Sequence, residues 1–287
     1  MSTSDEISSA DVTAERAERH RVGELARFLP LRGKWRSRLT YLVIIAAGFG
    51  LWWLLTAVHA FPDIALPSPP EVWSAFVSVS TNGYLGKTLA QDIVASLYRV
   101  GVGFVGAVVL GVLVGLVMTQ VRLAFQAVDP FLQFFRPIPP LAYIPLFVVW
   151  FGIGELPKVL LILVCTLPII IINTIAGVHN IPRQRIEVAE SLGAKRHQIF
   201  FRVILPSTLP DVFTGMKVAI GIAWTCLVAA ELIAADVGLG WLVEQAGTQL
   251  RVAIVIAGII VIGAIGYAME LVIRLLERLV VPWRGNV

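Results

Sequence analysis

The sequence predicts an all-α, polytopic membrane protein of about six transmembrane helices with both termini cytoplasmic. Three observations predict it. Of the 287 residues, 57% are hydrophobic and only 15% charged, whereas soluble domains carry roughly a quarter charged residues. The charge gathers at the ends and in a few short connections, leaving six apolar runs between them. With the N-terminus inside, all but Lys87, Arg99, Lys158 and Arg251 of the 23 Lys and Arg fall on the inner side, which is the positive-inside pattern. The net charge of +4 then follows from topology, and nucleic-acid binding is not needed to explain it.

Residues 1–39 are polar and rich in Ala, Arg and Glu. They read as a cytoplasmic arm, partly disordered or surface-lying, ahead of a transmembrane domain over residues 40–287. The first run, Tyr41–Phe61, is longer than a signal h-region and reads as a retained span. The outside connection Pro62–Leu97 opens proline-rich and continues as EVWSAFVSVS, a short interfacial helix with Trp73 at headgroup level. Its Gly86-Lys87-Thr88 is no phosphate loop, because Thr81 stands where the Walker A glycine belongs. The second run, Val100–Met118, carries Gly103, Ala107, Gly111 and Gly115 at four-residue spacing, a stripe that lets a neighbouring backbone come close.

The third run, Pro137–Ile153, begins with Pro137, Pro139, Pro140 and Pro145, which break or kink a helix. Irregular backbone at membrane depth belongs where it is buried or lines a cavity. Arg136 before it is either a snorkelling anchor or a substrate-facing charge. Tyr143 and Trp150 lie seven apart, so one helical face can carry both toward a cavity; an interfacial aromatic belt accounts for Trp150 as well. The fourth run is Val159–Val178. The fifth, Val218–Ala235, holds Thr225 and Glu231. An ionisable residue inside a span is a candidate functional group; the structural alternative is a packing carboxylate near the outer interface. Asp236, Gly238 and Gly240 read as an outside turn, and Val252–Met269 is the sixth run. Cys165 and Cys226 read as small apolar residues. No paired intramembrane aspartates and no HExxH are present, and His20, His59, His179 and His197 fall outside the span interiors. No catalytic, metal or cofactor-binding residue is assigned to this chain.

Between spans four and five lies EVAESLGAKRHQIFFRVILPSTLP, Glu187–Pro210. Pro182 suits a first helical turn, Glu187 and Glu190 fall early and Lys195 and Arg196 late, an order that complements the helix dipole. Ile186, Ala189 and Leu192 form an apolar face, Gly193-Ala194 marks a break, and a second short helix leads into span five. The segment resembles the EAA loop of binding-protein-dependent ATP-binding-cassette importers, E-A-A-x(3)-G-x(9)-I-x-L-P. Glu187, Ala189, Gly193, Leu205 and Pro206 match, while Val188 and Val203 replace an alanine and the isoleucine. LPSPPEVW, RPIPPLAYIPLFVVWFGIGE and LVAAELIAADVGLGWLV resemble the branch serving taurine, alkanesulfonates, nitrate and thiamine precursors, the taurine type most of all.

The resemblance implies a permease that is not itself an enzyme, in the bacterial inner membrane, with a coupling helix near 182–197. Its ATPase contacts would be Glu187, Ala189, Ser191, Leu192, Gly193, Ala194, Leu205 and Pro206. Partners would be a second copy of the chain, two ATPase subunits that bind ATP and Mg, and a periplasmic solute-binding protein docking near Pro67–Trp73 and Gly238–Gln245. Arg136, Tyr143, Trp150, Thr225 and Glu231 would line the pathway for a small anionic or zwitterionic solute. A nitrate or thiamine-precursor permease is the alternative. A proton-coupled secondary transporter using Glu231 is a further one, with no inverted repeat to support it.

Overall fold

The computed structural model describes residues 34–62 and 64–283; most of the expected arm over residues 1–39 lies outside them. The chain divides into two compact units, one ending at Ala60 and one starting at Phe61. The sequence division after residue 39 follows polarity, whereas the division by packing falls after the first span. All regular structure among the described residues is helical.

The described part of the first unit is α1 (Lys34–Ala57). Its stretch Thr40–Ala57 is long and apolar enough to cross a membrane. The Thr56 hydroxyl donates to the Trp53 carbonyl at 2.9 Å, which hides a polar group inside the helix.

The second unit opens with α2 (Pro69–Asn82) and α3 (Leu89–Gln120). Two prolines start α2, and the Glu71 carboxylate accepts the Ser68 amide at 2.7 Å. A reciprocal capping box starts α3: the Gln91 amide donates to Thr88 Oγ1 and the Thr88 amide to Gln91 Oε1 at 2.9 Å. The Gly86-Lys87 segment between them is a tight turn closed by Tyr84 and Lys87.

α4 (Arg122–Phe135) follows, then a 3₁₀ turn (Pro140–Tyr143) and α5 (Ile144–Phe151). The third apolar run is therefore not one helix. Pro140 and Pro145 stand in the first turns of the short pieces they open, where a missing N–H costs nothing. The path from α4 into these pieces bends by 99°.

α6 (Glu155–His179) packs along α3 on the small-residue stripe. A Cβ on Gly111 would lie 2.7 Å from Ile170 Cβ, and one on Gly115 would lie 2.7 Å from Thr174 Cβ. Only glycine allows that approach. The Thr166 and Thr174 hydroxyls at this interface donate back to Ile162 and Ile170 at 2.7 Å.

After α6 come α7 (Arg183–Ser191), α8 (Arg196–Ile199), a π turn (Phe200–Ile204) and α9 (Leu205–Ala234). α9 begins well before the expected Val218, because Lys217 pairs with Glu277 at 2.9 Å and need not end the helix. Gly215 brings α9 against Asn173 of α6. α10 (Leu239–Thr248) and α11 (Val252–Val280) complete the unit. The Trp224 indole donates to the Ile262 carbonyl of α11 at 3.1 Å, so the buried ring keeps its polar edge satisfied. Among the described residues, five helices are long and apolar enough to span, and a sixth span exists if the bent α4–α5 pair counts as one.

Candidate functional site

Three places hold the residues singled out in the sequence. The first is the segment after α6. Helix α7 buries none of its residues. It ends where Gly193 turns at φ +78 and its amide reaches the Glu190 carbonyl at 2.9 Å, with the Ala194 amide on the Ala189 carbonyl at 3.0 Å. Ser191 Oγ donates to the Glu187 carbonyl at 2.8 Å. Glu187, Ala189, Ser191, Leu192, Gly193 and Ala194 thus share one short, exposed helix and turn. Leu205 and Pro206 stand apart at the start of α9.

Two details differ from the sequence reading. The first turn of α7 holds Arg183 and Arg185 and no acid, and Lys195 and Arg196 lie beyond its end. The charges therefore oppose the dipole: the helix starts next to Pro182, as expected, but stops at Ser191, one turn before the basic pair, and its first turn holds arginines. The apolar face is also split. Ile186 and Ala189 are half-buried, whereas Leu192 is 83% exposed and Val188 points out beside it.

The second place is a cavity of about 580 Å³ between α4, the 3₁₀ turn, α6 and α9. Arg136 and Tyr143 both line it, with Cys165, Asn173, Val218 and Ile222 across from them. The helix break puts them there: Arg136 caps α4 and Tyr143 ends the 3₁₀ turn. The lining is mostly apolar with one guanidinium, a phenol and an amide, a composition that suits a small polar solute. Trp150 is exposed and outside this lining, at the far end of α5. Thr225 is exposed two turns along α9 from Val218, its hydroxyl donating to the Gly221 carbonyl at 3.0 Å.

The third place is a buried polar cluster at the other end of α9. Arg99 is 1% exposed and Glu231 is 0% exposed. Arg99 Nη1 donates to Glu231 Oε1 at 2.6 Å and to the Val237 carbonyl at 2.7 Å, and Nη2 donates to Glu155 Oε1 at 2.7 Å. Ser96 Oγ donates to Glu231 Oε1 at 2.8 Å. The start of α10 then caps itself on its neighbours: the Gly238 amide donates to Asp92, Leu239 to Ser96 and Gly240 to Glu231, all within 3.0 Å. Free N–H groups at a helix start need such acceptors. Glu231 therefore faces Arg99, Ser96 and the α10 amides, not the cavity.

Asp92, Ser96, Arg99 and Glu155 are not among the candidate site residues read from the sequence, where Arg99 figures only in the charge count. The signal was present in the first three, which recur at four- and three-residue spacing on one face of an otherwise apolar helix. Their partners come from residues more than fifty positions away, so no local pattern named them.

Residues 107–282 match the family described as "Binding-protein-dependent transport system inner membrane component". The chain is 39% identical over 262 residues to the taurine transport system permease protein of Escherichia coli (strain K12), covering 89% of this chain and 95% of that one. It is 33% identical over 245 residues to the putative aliphatic sulfonates transport permease protein of Bacillus subtilis (strain 168), covering 85% and 87%. It is 34% identical over 234 residues to the nitrate import permease protein of Leptolyngbya laminosa, covering 81% and 84%. Among solved structures, an inward-facing MetNI methionine ABC transporter chain shares the fold at TM-score 0.54 and 21% identity, covering 74% of this chain and 99% of that chain.

Proposed function

Since this chain belongs to the family of binding-protein-dependent transport system inner membrane components and is a permease subunit of an ABC importer, we propose how it is driven and what it carries. Two copies enclose one pathway in a bacterial inner membrane. A periplasmic binding protein delivers the solute, and two ATPase subunits, which hold the ATP and Mg, seat against the α7–Gly193 turn. The chain itself binds no nucleotide and catalyses no reaction. Both termini face the ATPases.

The observation that carries the coupling reading is Leu192. A leucine held 83% exposed at the end of a helix with no buried residue gains most by entering a groove on a partner. Closure of the ATPases on ATP would push both such turns together and rock the bundle between its two accessible states. The solute is a small anion or zwitterion, taurine or an alkanesulfonate first and nitrate or a thiamine precursor next. Kinship with permeases named for taurine, sulfonates and nitrate supports that class, as does the single guanidinium in the large cavity.

Co-expression tests the assembly. The chain is expected to purify together with its ATPase, and ATP hydrolysis by that complex is expected to rise when solute-loaded binding protein is added. Hydrolysis indifferent to the binding protein, or a chain that never retains an ATPase, contradicts the reading.

A further inference from the structure

We propose that a second, smaller cavity beside Arg136 binds a zwitterion, with Asp129 taking its cationic end and Arg136 its anionic end. The proposal rests on the importer reading above and narrows its solute to amino-sulfonates or amino-carboxylates over plain anions.

The cavity measures about 240 Å³ and lies between α4 and the end of α6, lined in part by Asp129, Leu132, Gln133, Arg136, Ile172 and His179. It adjoins the larger one, since Leu132, Arg136 and Ile172 line both. The two differ in charge. The larger cavity has Arg136 and no acidic side chain, so it offers a simple anion all that it can offer a zwitterion. The smaller one adds a carboxylate.

Helix geometry puts both charges on one face. Asp129, Leu132, Gln133 and Arg136 are spaced three, four and seven apart, and Arg136 keeps helical backbone angles (φ −56, ψ −45) as the cap of α4. Seven residues rise about 10 Å along a helix, and arginine's side chain is much longer than aspartate's, so from position 136 it can reach back along this face toward Asp129. Among the described residues neither side chain makes an ion pair or hydrogen bond with the other or with any neighbour. Two opposite charges thus flank one small space with Leu132 and Ile172 as an apolar floor. A solute with an ammonium and a sulfonate or carboxylate joined by a short carbon link fits that arrangement, and its charges make the stronger, charge-assisted kind of hydrogen bond.

The test is direct binding to the chain assembled with its ATPase partner in nanodiscs, read by saturation-transfer NMR with taurine and with ethanesulfonate, which lacks the amine. Wild type is expected to bind taurine at least about tenfold more tightly, the worth of one hydrogen bond to a charged group. Asp129→Asn is expected to weaken taurine by that factor while leaving ethanesulfonate unchanged, and Asp129→Glu to restore the preference. Arg136→Gln is expected to weaken both. Equal binding of the two by wild type, binding of neither, or an Asp129→Asn change that lowers both alike overturns the site. ATP-driven uptake by the same wild-type complex reads the importer assignment separately: uptake without preference for the amine defeats only the zwitterion site. No uptake of any solute with every partner present defeats the importer reading itself.

Discussion

At Arg99, one guanidinium holds three elements together: the carboxylate of Glu231 on α9, that of Glu155 at the start of α6 and the Val237 carbonyl before α10. Burying a charge is costly unless it is fully paired, and removing one partner leaves the other stranded. Arg99→Met is therefore expected to cost about 3–5 kcal/mol, seen as a large fall in the melting temperature of the detergent-solubilised protein. Arg99→Lys is expected to recover little of it, because an ammonium cannot reproduce the fork that meets two carboxylates and a carbonyl. A near-normal melting temperature for Arg99→Met would show that the cluster is not what fastens α10. The same residue shows what a sequence can and cannot say. Glu231 was conspicuous as a carboxylate in an apolar run, yet its role depends on Ser96, Arg99 and the Gly240 amide, which only the fold brings to it.

Among the helices, the close approach on one face of α3 was legible because its cause is local: Gly103, Gly111 and Gly115 recur at multiples of four, and the fold supplies α6 as the neighbour, with Ile162, Ile170 and Thr174 against the stripe. Gly111→Leu is expected to push these helices apart and to destabilise by about 1–3 kcal/mol or more. Gly101→Ala, where the added Cβ would meet nothing within 4 Å, is expected to leave the melting temperature nearly unchanged. Equal effects at the two positions would contradict the close packing. Helix α7 was less legible. Its existence and its start beside Pro182 followed from the sequence, but its end at Ser191 leaves Lys195 and Arg196 outside and undoes the expected order of charges along the dipole, since charge order alone does not fix a helix boundary. The outcome matters for docking, as Leu192 and Val188 face outward. Leu192→Asp is expected to leave folding and insertion intact, because surface positions tolerate change. It is expected to abolish retention of the ATPase in a pull-down. Full retention by that variant would remove α7 as the docking element.

Across the whole chain, the count and order of spans came from the apolar runs, with one exception of physical interest. The proline-rich run did not form a span by itself; it folds as a 3₁₀ turn and an eight-residue α5 after a 99° bend from α4. That bend opens the cavity holding Arg136 and Tyr143, so the departure from a regular helix and the candidate pathway have one origin. Tyr143 and Trp150 share a seven-residue spacing, yet the bend and the short α5 leave Trp150 outside the cavity lining, and Thr225, on α9, is outside it as well. The cluster around Glu231 closes one end of the bundle while the exposed α7 turn lies beyond the other end of α6 and α9.

Uptake of labelled taurine into proteoliposomes, with the ATPase, the binding protein and ATP supplied together and then omitted one at a time, tests the central claim most directly. The account predicts accumulation only when all are present. Accumulation by this chain alone, driven by an imposed proton gradient, would contradict it.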